Sequence, residues 1–161
     1  MDRAMVIGGP GSGKTWLAKR LSERLGLPVV SIDAFVHDRA GQVRSPDLID
    51  ADSRAAADGP RWIIEGGNSR TYDYRAARAE CVIRLDPPVW LRLWRVWRRD
   101  GWNRRLLEWS WRYDSVFGPR DRAVLDAVRG KAAVHNLRTS EEIDALLDTF
   151  AQPAPPLRPS A

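Results

Sequence analysis

Residues Gly8-Gly9-Pro10-Gly11-Ser12-Gly13-Lys14-Thr15 follow the spacing G-x-x-x-x-G-K-[ST]. Residues of these types in this order bind polyphosphate. Glycines free backbone N–H groups to converge on an anion and tolerate positive φ. Lys14 is placed to reach β- and γ-phosphates, and the Thr15 hydroxyl to ligate Mg²⁺. A helix opening at Lys14 would add its unpaired N–H groups and the positive end of its dipole, and Trp16 would extend the contact by one residue. A bare glycine-rich turn is the alternative, but it gives Lys and Thr no reason to follow the last glycine.

Three carboxylates stand where apolar runs end. Asp33 follows Val29–Ile32, Glu65 follows Trp62–Ile64, and Asp86 follows Cys81–Leu85. Asp33 can orient an acceptor hydroxyl in a reaction governed by positioning and electrostatics, or it can cap the next helix. Glu65 can hold a Mg²⁺-bound water or act as a base, or it can be a surface carboxylate at a turn. Asp86, ahead of Pro87-Pro88, reads as a cap for the following helix.

Arginines supply the complementary charge. Arg95, Arg98, Arg99, Arg104, Arg105, Arg112, Arg120 and Arg122 cluster in one stretch, of which Arg99, Arg120 and Arg122 are the candidates for phosphate contact. Arg70 and Arg75 are candidates for the acceptor's anionic group. Most of the others read as solvated surface, and a GC-rich coding bias can account for much of the arginine excess. His37 and His135 lack metal-ligand spacing.

Positioning these groups requires alternating elements. Strands are expected near 4–7, 29–32, 62–64, 81–85 and 132–137. Helices are expected at 16–25, with Leu17, Leu21 and Leu25 on one face, and from about Val89. In the latter, Trp90, Trp94 and Trp97 fall at i, i+4 and i+7, a stripe read as core packing, with base stacking as the alternative. A weak helix from Pro46 is a candidate flap, and Thr139 with Glu142 forms a capping box for a last helix. Strand–helix alternation predicts an α/β fold with a parallel sheet and right-handed crossovers. Ligands then sit at the carboxyl ends of the strands, where the loop, Asp33, Glu65 and Asp86 all fall.

At 161 residues the chain is expected to form one domain over 1–150, with a disordered proline-rich tail over 151–161. Cys81 is the only cysteine, which excludes a disulfide framework and a cysteine zinc cluster. With strand and loop beginning at once, no leader is expected, and the setting is read as cytoplasmic. No apolar run is long enough for a membrane span, so no membrane partner is expected. A net charge of +5 suits an anionic substrate.

Taken together, the phosphate loop, the Asp after strand two, the Glu-Gly-Gly after strand three and the Arg-rich segment resemble small kinases of the adenylate-kinase type. Trp62-Ile63-Ile64-Glu65-Gly66-Gly67-Asn68, Arg75 and Leu85-Asp86-Pro87-Pro88-Val89-Trp90-Leu91-Arg92-Leu93-Trp94-Arg95 are similar to the bacterial branch labelled topology-modulation proteins or uncharacterised AAA-family kinases. The resemblance implies a P-loop NTPase three-layer sandwich, a five-stranded sheet of order 2-3-1-4-5, a short flap and an Arg/Trp-rich lid at about 98–122. It also implies ATP as phosphoryl donor with Mg²⁺, and Arg138 near the adenine ring. The expected activity is phosphoryl transfer to a small anionic acceptor, nucleotide or nucleoside. Two alternatives stay open: an ATP-binding regulator acting on nucleic acid through the basic lid, and a slow NTPase.

Overall fold

A computed structural model describes residues 1–38 and 40–150; the tail expected to be disordered lies outside them. Five strands, β1 (Arg3–Gly8), β2 (Val29–Ser31), β3 (Trp62–Glu65), β4 (Cys81–Leu85) and β5 (Ala133–Leu137), form one sheet in the order β2-β3-β1-β4-β5. Every pairing is parallel. This is the fold class and strand order expected from the sequence.

Alternation along the buried strands divides the core into two halves. Ala4 and Val6 of β1 face one side and Met5 and Ile7 the other. On the first side, Leu17, Ala18 and Leu21 of α1 (Lys14–Leu25) and Leu146 and Leu147 of α7 (Ser140–Thr149) cover the sheet. The second side is covered by α2 (Pro46–Ala57), α3 (Tyr72–Ala76) and α6 (Gly118–Val128) through Ala57, Tyr72, Ala76, Val124, Leu125 and Val128. The result is a helix–sheet–helix sandwich.

Local chemistry sets the helix ends. Gly26 closes α1 in the left-handed region at φ 63°, donating its N–H to the Ser22 carbonyl. Ser45 caps α2 by accepting from the Leu48 N–H, with Pro46 opening the helix. Thr139 and Glu142 form the reciprocal capping box of α7.

The stretch from 98 to 122 consists of the end of α4 (Val89–Asp100), all of α5 (Arg104–Val116) and the start of α6. Two expectations are corrected here. The tryptophan stripe of α4 does not face the core: Trp90, Trp94 and Trp97 are exposed, and the buried residues are Arg92 and Val96. The reason is the closeness of α4 to the phosphate loop. A Cβ at Gly11 would lie 2.5 Å from the Arg92 carbonyl oxygen and 3.0 Å from Val96 Cγ2, so no indole fits between them. Asp86 makes no cap, since α4 starts from Pro88 without a side-chain cap. Its carboxylate instead pairs with Arg84 at 2.8 Å.

Candidate active site

The loop from Gly8 to Gly13 leaves β1 at its carboxyl end and turns into α1. Its glycines are required by shape. A Cβ at Gly8 would strike the Leu85 carbonyl, and Gly13, at φ 101°, takes the left-handed turn that starts the helix at Lys14. Outside the loop, α4 and α5 buttress it. Ser110 Oγ donates to the Pro10 carbonyl at 3.1 Å, and Arg95 Nη1 donates to the Ser12 carbonyl at 3.3 Å.

Lys14 Nζ donates to the Gly9 carbonyl at 3.0 Å, curled across the loop that it would serve. Burial lowers the pKa of its ammonium, and Asp33, Glu65 and Asp121 oppose that shift. Next to it, Thr15 Oγ1 donates to Glu65 Oε1 at 3.2 Å. Glu65 is the last residue of β3, only 1% exposed, and its Oε2 is buried with no hydrogen-bond partner among the described residues. A hydroxyl and an orphaned carboxylate oxygen at a phosphate loop suit a hard, oxygen-seeking cation. No group of three or more His, Cys, Asp or Glu among the described residues could hold a metal alone.

Two cavities open on either side of the loop. The first, about 620 Å³, is lined by Ser12, Gly13, Trp16, Leu91, Arg95, Leu137, Arg138 and Ile143, and its walls are mostly apolar. The second, about 680 Å³, holds Lys14, Thr15, Asp33, Asn68, Arg70, Tyr72, Arg95, Arg99, Trp109, Tyr113 and Phe117. Asp33 sits on a short 3₁₀ turn just past β2 and accepts from the Gly67 N–H at 3.4 Å. Arg70 is held by Asp50 at 2.7 Å and Asp47 at 2.9 Å, and Arg99 by Asp100 at 2.8 Å.

The structure therefore gathers Lys14, Thr15, Asp33, Arg70 and Arg99 around one cavity, with Glu65 hydrogen-bonded to Thr15, and sets Arg138 at the other. Trp16 lines both, with the Arg20 guanidinium 5.6 Å over its ring. Three other candidates lie elsewhere. Arg120 pairs with Asp73 at 2.6 Å and lines neither cavity. Arg122 is exposed and also lines neither. Arg75 is fully buried under the cavity floor, where Nη2 donates to the Gly67 and Asn68 carbonyls and the guanidinium lies 5.0 Å from the Tyr72 ring. Burial lowers its pKa to about 10. It thus supports the Gly66–Ser69 loop from beneath.

Sequence reasoning missed the polar network under the loop. Tyr113 Oη donates to Asp121 Oδ2 at 3.2 Å, and Arg84 Nε donates to the same carboxylate at 3.4 Å. Burial raises the pKa of Asp121, with Arg84 acting against it, and pushes Tyr72 up to about 12. Arg84 lies in a stretch read only as a strand and Asp121 at the end of the stretch read as a lid, so nothing local marked them. Arg95, one of many lid arginines in the sequence, is singled out only by its place between the two cavities.

No family model matches the chain. A cytidylate kinase from Aeropyrum pernix is 34% identical over an alignment 113 residues long that covers 60% of this chain and 64% of the relative. A shikimate kinase from Thermobifida fusca is 40% identical over 47 residues, 29% of this chain and 27% of the relative. The chain thus spans less than two thirds of the length of either curated relative. Among solved structures, a shikimate kinase from Acinetobacter baumannii in complex with shikimate superposes with a TM-score of 0.63 at 16% identity, covering 93% of this chain and 91% of that one. For a shikimate kinase from Bacteroides thetaiotaomicron the TM-score is 0.64 at 16% identity, with 92% and 95% covered. A gluconokinase from Sinorhizobium meliloti gives 0.57 at 17% identity and 93% of both chains. What these likenesses establish is the architecture: this chain has the P-loop NTPase fold on which the shikimate kinases and the gluconokinase are built.

Proposed function

We propose that this protein is a kinase that transfers the γ-phosphoryl group of ATP, with Mg²⁺, to a small anionic acceptor of the nucleotide or nucleoside kind. The observation that carries the reading is the convergence of Lys14, the Thr15–Glu65 pair and Asp33 on one cavity beside a complete phosphate loop. Similarity to cytidylate, shikimate and gluconate kinases supports phosphoryl transfer as the reaction class. The Glu65–Asn68 and Pro87–Arg95 stretches support a place in the topology-modulation branch of small kinases.

Roles follow from position. The apolar first cavity takes the adenine, with Arg138 and Trp16 at its edges. The loop N–H groups and the α1 terminus hold the phosphates. Lys14 leaves the Gly9 carbonyl to neutralise charge on the β- and γ-phosphates. Thr15 and Glu65 would hold Mg²⁺, which when bound neutralises phosphate charge and orients the transferring group. Asp33 orients the acceptor oxygen and takes its proton. Arg95 and Arg99, at the mouth of the second cavity, stabilise negative charge spreading onto the transferring oxygens. Trp109, Tyr72 and Phe117 give the acceptor a flat aromatic wall, and Arg70 a counter-charge.

The test is a transfer screen with labelled ATP–Mg²⁺ over nucleoside monophosphates, nucleosides and sugar acids. We expect turnover on at least one ring-bearing acceptor, and its loss in Lys14→Ala with the fold intact. Equal ATP affinity in wild type and Lys14→Ala by calorimetry would contradict the assignment.

A further inference from the structure

One flank of α4 turns away from the phosphate loop and has no partner among the described residues. Trp90, Trp94 and Trp97 lie on it, 67%, 48% and 52% exposed. Trp102, in the turn between α4 and α5, is 82% exposed. None of the four lines either cavity, so the proposed phosphoryl transfer leaves them without a role. One exposed apolar side chain is ordinary, whereas several indoles on one arm mark an interaction surface.

The charge around them is one-sided. Residues 89–116 contain seven arginines against three acidic residues, so most of the net charge of +5 sits in this arm. Arg98, Arg104 and Arg105 are exposed, and no carboxylate pairs with them among the described residues. The partner is therefore anionic. A second copy of the chain is disfavoured, because a two-fold contact would set this positive arm against itself. A nucleic acid strand fits less well than a lipid surface. Strand-binding sites are positive grooves with open aromatic faces. Here three of the indoles stand on the outer flank of a helix and the fourth in the turn after it, outside both cavities, and the Arg98 guanidinium lies 5.4 Å over the Trp94 ring. A bilayer surface needs no groove; it takes indoles at headgroup depth and arginines on its phosphates.

We propose that the α4–α5 arm docks this protein on anionic lipid, with Trp90, Trp94, Trp97 and Trp102 in the headgroup layer and Arg98, Arg104 and Arg105 on lipid phosphates. The association is peripheral: no helix among the described residues is long and apolar enough to cross a membrane. This departs from the sequence-based expectation of no membrane partner, which rested on the lack of an apolar run long enough to span. Because α4 also buttresses the phosphate loop, the docked arm holds both cavities close to the surface.

Vesicle flotation of the full chain tests this, with phosphatidylcholine alone and with about one third phosphatidylglycerol. The protein is expected to float only with the anionic vesicles, less so at high salt. Trp94→Ser combined with Trp97→Ser should lower the bound fraction about tenfold, with circular dichroism and Mg–ATP affinity unchanged. Should that pair unfold, Trp102→Ser and Arg104→Glu with Arg105→Glu give the same readout from the exposed turn. Failure of wild type to float, or flotation unaffected by the folded variants, overturns the proposal. So does loss of single-stranded oligonucleotide binding or of a dimer in these variants, without vesicle binding in wild type.

Discussion

Under the proposed function Lys14 is the residue on which donor binding turns, and in the ligand-free protein it carries a cost. Burial lowers its folded-state pKa below the ordinary 10.5, so the unfolded chain binds the proton more tightly. Stability of the ligand-free protein therefore rises with pH between the folded-state value and 10.5. At neutral pH the ammonium is held in the fold against its desolvation. Lys14→Met removes that penalty. Its ligand-free Tm is expected to exceed that of wild type at neutral pH, with the difference closing in alkaline buffer. Wild type at about 100 times Kd of Mg–ATP should gain about 2.7 kcal/mol, and the variant little of it. Thermal scans with and without Mg–ATP check both statements; a ligand-free variant less stable than wild type would contradict the first. Arg75 teaches a different lesson at this scale. Its sequence position beside the Gly66–Ser69 loop is right for anion binding, but its guanidinium points at loop carbonyls. An arginine two turns from a loop can serve ligand or backbone, and only packing decides.

Among the elements, α4 and α5 set the geometry of the loop through Arg92. That side chain is fully buried and donates to both oxygens of Asp114, at 2.8 and 2.7 Å, while Asp114 itself is 45% exposed. The two ends of the pair should therefore respond unequally. Asp114→Ala strands a buried guanidinium and is expected to cost about 3–5 kcal/mol. Arg92→Met leaves a carboxylate that water can reach, and should cost about 1–2 kcal/mol less. Chemical denaturation of both variants measures the difference; equal losses would show that the pair is not what anchors α5. The strands, the loop and the Thr139–Glu142 box were legible in the sequence because each rests on contacts within a few residues. The inward face of α4 was not. Its tryptophans form the more apolar stripe, and the stripe formed by Arg92 and Val96 wins only because the loop backbone leaves no room for an indole. Likewise, Asp86 looks like a cap until Arg84 from the preceding strand reaches it.

At the scale of the molecule, the parallel sheet does the assembling. Its order puts β1 and β3 side by side, so the loop after β1 meets Glu65 at the end of β3, and Asp33 follows the neighbouring β2. The loop divides the surface into an apolar cavity and a charged, aromatic one, with Arg95 between. Strand alternation made the edge and the carboxylates readable. The cavity walls drawn from α3 and α5 were not, since Tyr72, Trp109 and Tyr113 meet only through tertiary packing. The central claim is a division of labour, in which the loop binds the donor and Asp33 activates the acceptor across the second cavity. Asp33→Asn separates the two. ATP affinity and single-turnover transfer, measured on the same preparation with an acceptor found by the transfer screen, are predicted to diverge. Affinity should stay near wild type while the transfer rate falls by about 10²-fold or more. Transfer at the wild-type rate, or a loss of ATP binding that matches the loss of transfer, would contradict the account.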